Sequence, residues 1–178
     1  MGDPKRGKIV SKFIKKNFRN VARILSVADG NFVLAKELYD EYKKDKKKRS
    51  ISPSIVVIDP IITSINVKRM KGSEIAVYKK EFKADSDLEC DLIVGLHPDS
   101  ATGEIIDFAI RKRMQCVVIP CCILGKYGDE YSKQNNHCTL SGWIDILQRR
   151  LEKSNFQVSI IQLKFSGANY AIKAIPKK

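Results

Sequence analysis

The sequence predicts an α/β fold: a mostly parallel seven-stranded sheet with helices on both faces and a C-terminal antiparallel hairpin. Three observations predict it. Short, continuously apolar runs at 55–58, 92–96 and 116–119 have the character of strands buried on both faces, as in parallel sheets. Amphipathic helical patterns alternate with these runs, as in βαβ units. The end of the chain breaks that alternation. A helical stretch at 140–151 precedes two strand-like runs, 156–165 and 170–175, joined by the turn Ser166-Gly167-Ala168-Asn169.

Residues 1–8 read as a flexible basic tail, and 9–178 as a single domain. Ile9, Phe13, Ile14 and Phe18 recur at helical spacing among Lys12, Lys15, Lys16 and Arg19, which predicts a basic amphipathic helix. A strand over 21–27 runs into the turn Ala28-Asp29-Gly30-Asn31. Phe32, Leu34, Ala35, Leu38, Tyr39 and Tyr42 then mark a helix. The charge run from Lys43 to Arg49 is a solvated loop. The strand over 55–58 stops at Asp59-Pro60, because proline cannot continue the ladder. A short helix over 61–70 and strands over 74–78 and 92–96 follow. The helix over 104–113 has Ser100 or Thr102 near its start as a cap. The strand over 116–119 ends at Pro120, and the polar segment 123–138 reads as a loop. In the helix over 140–151, Leu140, Trp143, Ile144, Leu147 and Leu151 share one face.

Composition bounds the function. A chain of 178 residues with 43% hydrophobic and 30% charged residues can bury a core, so disorder is not the expectation. The net charge of +13 favours nucleic acid, an anionic surface or an anionic cofactor as partner. Five cysteines, two of them adjacent, make a poor disulfide framework and suit a reducing intracellular compartment, cytoplasmic or nuclear. No apolar run approaches the roughly 20 residues that span a bilayer, so no membrane is expected. The polar N-terminus lacks a signal-peptide pattern, and Arg6 stands where myristoylation wants Ser or Thr.

In open α/β sheets, ligands bind beyond the carboxyl ends of the strands, where strand order reverses. That rule selects 26–31, 59–60, 83–87, 95–100 and 120–125. Asp59, at a strand end, can accept from both hydroxyls of a ribose, or can simply open a turn. Gly30 suits a close backbone approach, and Asp29 and Asn31 tolerate tight turns. His97 can orient a substrate or accept a proton, or can tie its loop to backbone. Cys121 and Cys122 can be metal ligands or a nucleophile. Zinc wants about four ligands, and with His97, His137 and Cys138 as the remaining donors the spacing matches no standard pattern. The expectation is therefore a pocket wall and no metal.

Two segments carry a family resemblance. D-L-I-V-G-L-H-P-D from Asp91 to Asp99 and V-V-I-P-C-C from Val117 to Cys122 resemble one branch of the class I S-adenosylmethionine-dependent methyltransferases. That branch has D-L-x-V-x-L-H followed by P-C-C and includes a tRNA methyltransferase. The resemblance implies a Rossmann-like methyltransferase fold over 21–175 and S-adenosylmethionine as cofactor. It implies that Ser26, Ala28, Asp29 and Gly30 form the cofactor loop, that Asp59 binds ribose and that Asp87 contacts adenine. Gly95 and Leu96 then approach the cofactor's methyl end, and His97 and Asp99 face the substrate as catalytic residues. The family's first loop reads acidic-x-Gly-x-Gly-x-Gly. Here Ser26 replaces the acid, Ala28 the first glycine and Phe32 the last, so only Gly30 matches. Phe32 crowds the helix end unless its ring turns into the core. The stretch between strands two and three is short, so the helix there is reduced.

The expected function is methyl transfer to RNA, such as tRNA, or to a protein associated with it. The basic N-terminal helix and the Lys43 to Arg49 loop would hold the anionic partner. Two alternatives stand beside it: a catalytically degenerate fold serving as an RNA-binding or partner-subunit module, and a small-molecule methyltransferase.

Overall fold

The computed structural model describes residues 3–44, 52–69, 73–134 and 138–178. Its elements run α1 (Arg6–Asn17), β1 (Arg23–Val27), α2 (Val33–Lys43), β2 (Ser54–Ile58), α3 (Ser64–Arg69), β3 (Ile75–Tyr78) and β4 (Leu92–Leu96). A 3-10 turn (Asp99–Ala101), α4 (Thr102–Lys112), β5 (Gln115–Ile119), α5 (Lys126–Gln134), α6 (Leu140–Lys153), β6 (Phe156–Gln162) and β7 (Tyr170–Pro176) complete the order. The seven strands form one sheet in the order β3-β2-β1-β4-β5-β7-β6. β1 to β5 pair in parallel, and β7 runs antiparallel to both β5 and β6. The expected fold is therefore the observed one. Strand order reverses between β1 and β4, which opens the ligand crevice at their carboxyl ends.

Alternation along each strand divides the core between the two faces. Ile24, Leu92, Val94, Val117 and Ile119 point to the face covered by Val10 and Ile14 of α1 and Leu34 and Leu38 of α2. Leu25, Ile93, Cys116 and Val118 point to the other face, against Ile105 and Phe108 of α4 and Trp143, Leu147 and Leu151 of α6. Each of these helical side chains is completely buried. Burying one such side chain contributes about 1.5–3 kcal/mol.

Several local expectations need correction. Arg6, Gly7 and Lys8, read as tail, are the first turn of α1. Gly7 is buried because a Cβ there would strike the Val33 carbonyl, so its absence lets α1 lie against the start of α2. The segment read as a polar loop contains α5. Its sequence lacks aliphatic periodicity, and tertiary contacts hold it. The Tyr127 hydroxyl donates to Asp107 at 2.5 Å, and Tyr131 stacks on Trp143. Burial would raise the Asp107 carboxyl, but hydrogen bonds from Tyr127, Arg150 and Lys126 outweigh it and hold it below the usual carboxylate range. The last long strand ends at Gln162 rather than 165. From there Leu163 and Phe165 turn into the core, and the Asn169 side chain donates to both of their carbonyls. α4 has no side-chain cap: the Thr102 hydroxyl donates back to the Asp99 carbonyl, and the 3-10 turn leads in instead. α3 has only six residues, as the short connection implied. His137 and residues 45–49 of the charged run lie outside the described residues. Among the described residues, no helix is long and apolar enough to cross a membrane.

Candidate functional site

Two adjoining cavities open at the carboxyl ends of β1, β2 and β4. The first, about 450 Å³, is lined by Ala28, Gly30, Asp59, Leu96, His97 and Asp99, with Asp29, Cys121 and Arg6. The second, about 370 Å³, continues past Asp59 along Val27, Ile58, Phe82 and Lys83. Ala28, Asp59, Ile61 and Asp99 line both. Each is large enough for part of a nucleotide-sized ligand.

The loop after β1 follows a glycine-like path without the glycines. Ala28 and Phe32 have φ of 56° and 54°, the left-handed region that favours glycine. Each costs roughly 1–2 kcal/mol of backbone energy. The Phe32 ring turns into the core and is 3% exposed, so it does not crowd the cleft. Gly30 keeps the close approach itself: a Cβ there would lie 3.0 Å from the Asp59 carboxylate, and the Gly30 N–H donates to that carboxylate at 2.8 Å.

Asp59 is held on both oxygens. Oδ2 takes Gly30 and Oδ1 takes the Ile61 N–H at 2.6 Å. Each carboxylate oxygen retains a second lone pair, and Asp59 lines both cavities. Beside it Ile61 is 78% exposed, an apolar side chain at the mouth of the cleft.

Asp29 lines the cleft but directs its carboxylate inward. It accepts from the backbone N–H of Leu34 and Ala35 and from the Ser26 hydroxyl, capping α2 from within. Burial pushes its carboxyl up to about 6, against the lowering effect of those hydrogen bonds.

The β4 wall carries the titratable groups. His97 and Asp99 again have positive φ, 54° and 46°. Backbone strain of this kind gathers at functional loops. His97 Nε2 lies 2.8 Å from the Ala168 carbonyl. In the neutral ring that contact makes Nε2 the donor and Nδ1 the basic nitrogen. The Asp99 carboxylate accepts from the Cys121 and Cys122 thiols at 3.1 and 3.2 Å. Burial first and then Asp99 push the Cys121 thiol up, and the Cys122 thiol rises for the same reasons. Burial also pushes Cys90 and Cys116 up to about 12. A protonated thiol is a poor nucleophile, and these surroundings disfavour losing the proton.

Three expected site residues are elsewhere. Ser26 is fully buried and lines neither cavity. Gly95 is buried within β4, where a Cβ would meet Ile105 and Pro98 at 2.6 and 2.9 Å, so it serves packing beneath the loop. Asp87 is 95% exposed and pairs with Lys112 at the far end of α4. Arg111 pins Ala84 and Ser86 to that helix and draws the connection away from the cleft. In its place Phe82 and Lys83 line the second cavity. Asp91, at the start of the strand-four motif, is at the opposite edge and holds the N–H groups of Ala22 and Arg23. Ile61 and Phe82 were missed as cavity-lining residues, and so was Arg6. The apolar spacing of Val10 and Ile14, extended back one turn, was the signal that could have found it.

Neither a scan against protein-family models nor a comparison with curated proteins finds a match. Solved structures do match in fold. The mitomycin 7-O-methyltransferase MmcR superposes with a TM-score of 0.62 at 12% identity, over 98% of this chain and 54% of its own. The plantazolicin methyltransferase BpumL, in complex with SAH, gives 0.62 at 9% identity over 97% of this chain and 83% of its own. The ribosomal protein L11 methylase from Lactobacillus delbrueckii subsp. bulgaricus gives 0.59 at 14% identity over 97% and 77%. The chain spans about half the length of the mitomycin 7-O-methyltransferase and of two further matching structures. At such identities the likeness shows the fold, which is that of the class I methyltransferases.

Proposed function

We propose that this chain binds S-adenosylmethionine in the paired cavities and transfers its methyl group to RNA or another anionic acceptor. The observation that carries the reading is Asp59. It stands at the end of β2 beside the strand-order reversal, fixed by two backbone N–H groups, with lone pairs left for the two hydroxyls of a ribose. Ile61, exposed beside Asp59, offers apolar surface to a purine in the second cavity. Arg6, on the wall of the first, offers a guanidinium to a carboxylate. The bound cofactor supplies an electrophilic methyl on a sulfonium. The chain's part is to orient the acceptor and to take its proton, for which His97 Nδ1 is the available base.

The charge supports an anionic acceptor. Lys8, Lys12 and Lys16 are exposed at four-residue steps along α1, Arg19 is exposed just beyond it, and Lys43 and Lys44 are exposed at the end of α2. A basic face of this kind binds phosphates with strong salt dependence.

One observation favours a second reading, a fold retained as a binding module. The first loop offers no carboxylate to a cofactor ammonium, since Ser26 is buried and Asp29 caps α2. Calorimetric titration with S-adenosylhomocysteine separates the two. Micromolar binding that disappears in Asp59→Ala supports the enzyme. No binding at millimolar ligand, with salt-sensitive RNA binding retained, supports the module.

A further inference from the structure

We propose that Asp99, Cys121 and Cys122 form a binding site for a thiophilic divalent cation, zinc foremost, at the carboxyl ends of β4 and β5. The proposal is independent of cofactor binding.

Two loops far apart in sequence bring the three donors together. Leu96 pairs with Ile119 at the ends of β4 and β5, and the His97 N–H continues the ladder to the Ile119 carbonyl. The chain then turns at Pro98 on one strand and at buried Pro120 on the other. Asp99 is held with φ of 46°, its carbonyl taken by the Thr102 hydroxyl, so its carboxylate meets the residues that follow Pro120. The thiols lie 3.1 and 3.2 Å from one Asp99 oxygen and 3.5 Å from each other. All three donor atoms fall within 4.8 Å of one another.

That triangle is close to the face of a zinc tetrahedron. Two thiolates about 2.3 Å from zinc are roughly 3.8 Å apart, and a thiolate and a carboxylate oxygen roughly 3.5 Å. The observed edges need to open by only a few tenths of an ångström. Two sulfur donors select zinc or cadmium over magnesium or calcium, which want oxygen ligands. Three protein donors leave a fourth position open, as in sites where water or a substrate atom completes the shell. Cys121, Asp99 and His97 line the same cavity, so the fourth ligand enters from the cleft. A metal here would bring a Lewis acid to the wall that carries His97.

The test uses the full chain, reduced and stripped of metal. Cobalt titration reads thiolate-to-metal charge transfer, and zinc affinity is measured by competition with a chromophoric chelator. The expected result is one equivalent bound, with the charge-transfer band, in the wild type and in Cys90→Ser and Cys138→Ser. Cys121→Ser and Cys122→Ser should each weaken zinc by about tenfold or more and reduce the band, and Asp99→Asn should weaken it less. Metal-free melting curves identify any variant that fails to fold, and Cys121→Ala and Cys122→Ala then replace it. No charge-transfer band in the wild type overturns the proposal. So does zinc affinity unchanged in both cysteine variants, or lost in Cys138→Ser. The S-adenosylhomocysteine titration is run on the same samples with and without zinc. Cofactor binding without metal binding removes the metal site alone; metal binding without cofactor binding leaves it standing.

Discussion

The loop after β1 and the loops after β4 and β5 face each other across one cleft, and they use their polar groups in opposite ways. On the β1 side the Ser26 hydroxyl and the Asp29 carboxylate are turned inward. Ser26 donates to Asp29, Asp29 caps α2, and only Asp59 from the neighbouring strand presents a carboxylate to the cavity. On the β4–β5 side, His97, Asp99 and Cys121 all line the cavity, and the Asp99 carboxylate is held by two weak thiol donors. The first wall contributes shape, and the second contributes chemistry. A glycine loop that has lost most of its glycines can therefore keep its path. Ala28 and Phe32 accept left-handed backbone because the buried ring of Phe32 and the Asp29 cap hold the loop in place.

The largest expected effect separates the walls by stability. Asp29→Ala leaves the N–H groups of Leu34 and Ala35 unpaired in a buried site, and should cost about 3 kcal/mol in urea unfolding. Asp99→Asn, at an exposed residue where Asn tolerates the same left-handed backbone, should cost no more than about 0.5 kcal/mol. Equal losses would end the distinction.

The next effect is on pH. Asp29 titrates at about 6 in the folded protein, above the ordinary 3.8. The folded state therefore holds this proton longer than the unfolded state does. Stability from this group is fully present below about pH 4, falls as pH rises toward 6, and is level above that, by on the order of 2–3 kcal/mol. Asp29→Asn should flatten that slope, and a slope unchanged in the variant would contradict the buried placement.

Gly30→Ala sharpens the comparison at the one glycine the loop retains. The new Cβ pushes on the Asp59 carboxylate from 3.0 Å, so S-adenosylhomocysteine should bind about fivefold more weakly, while the melting temperature changes little. Affinity unchanged by this substitution would mean that Asp59 does not contact the ligand.

The smallest effect lies outside the cleft. Lys12→Ala and Lys16→Ala on α1 should each reduce the slope of log affinity against log salt for RNA by about 0.7 to 0.9, with stability unchanged. A slope unaffected by both would direct the search for an anionic partner to another face.

Part of the cleft was legible in advance because topology alone delivers it. Any parallel strand brings the residues just beyond its carboxyl end to the same rim, so Ala28, Gly30, Asp59, Leu96, His97 and Asp99 reached the cavities from their positions next to apolar runs. Ser26 and Gly95 failed the same reasoning because they lie inside strands, where alternation turns a side chain into the core. Asp87 failed because a connection is free to leave the rim, and Arg111 ties this one to α4. α5 was invisible because it is held by Tyr127, Tyr131 and their partners on α4 and α6 rather than by an apolar stripe of its own.

Local pattern determined the elements other than α5, the parallel sheet, the closing hairpin and the reduced α3. Each of these follows from hydrophobic period, proline position and segment length, which act over a few residues. Only the tertiary structure decided which way a polar side chain points once it is there. Asp29 and Asp59 each follow a buried strand, yet one caps a helix and the other faces the cavity. Tertiary structure also carried Arg6 to the cleft by packing Gly7 on α2, and set Asp99 against Cys121 and Cys122 across more than 20 residues of chain. Such pairings depend on which backbone donors and which neighbouring strands come within a few ångströms. That is a property of the packed chain, which sequence spacing does not encode.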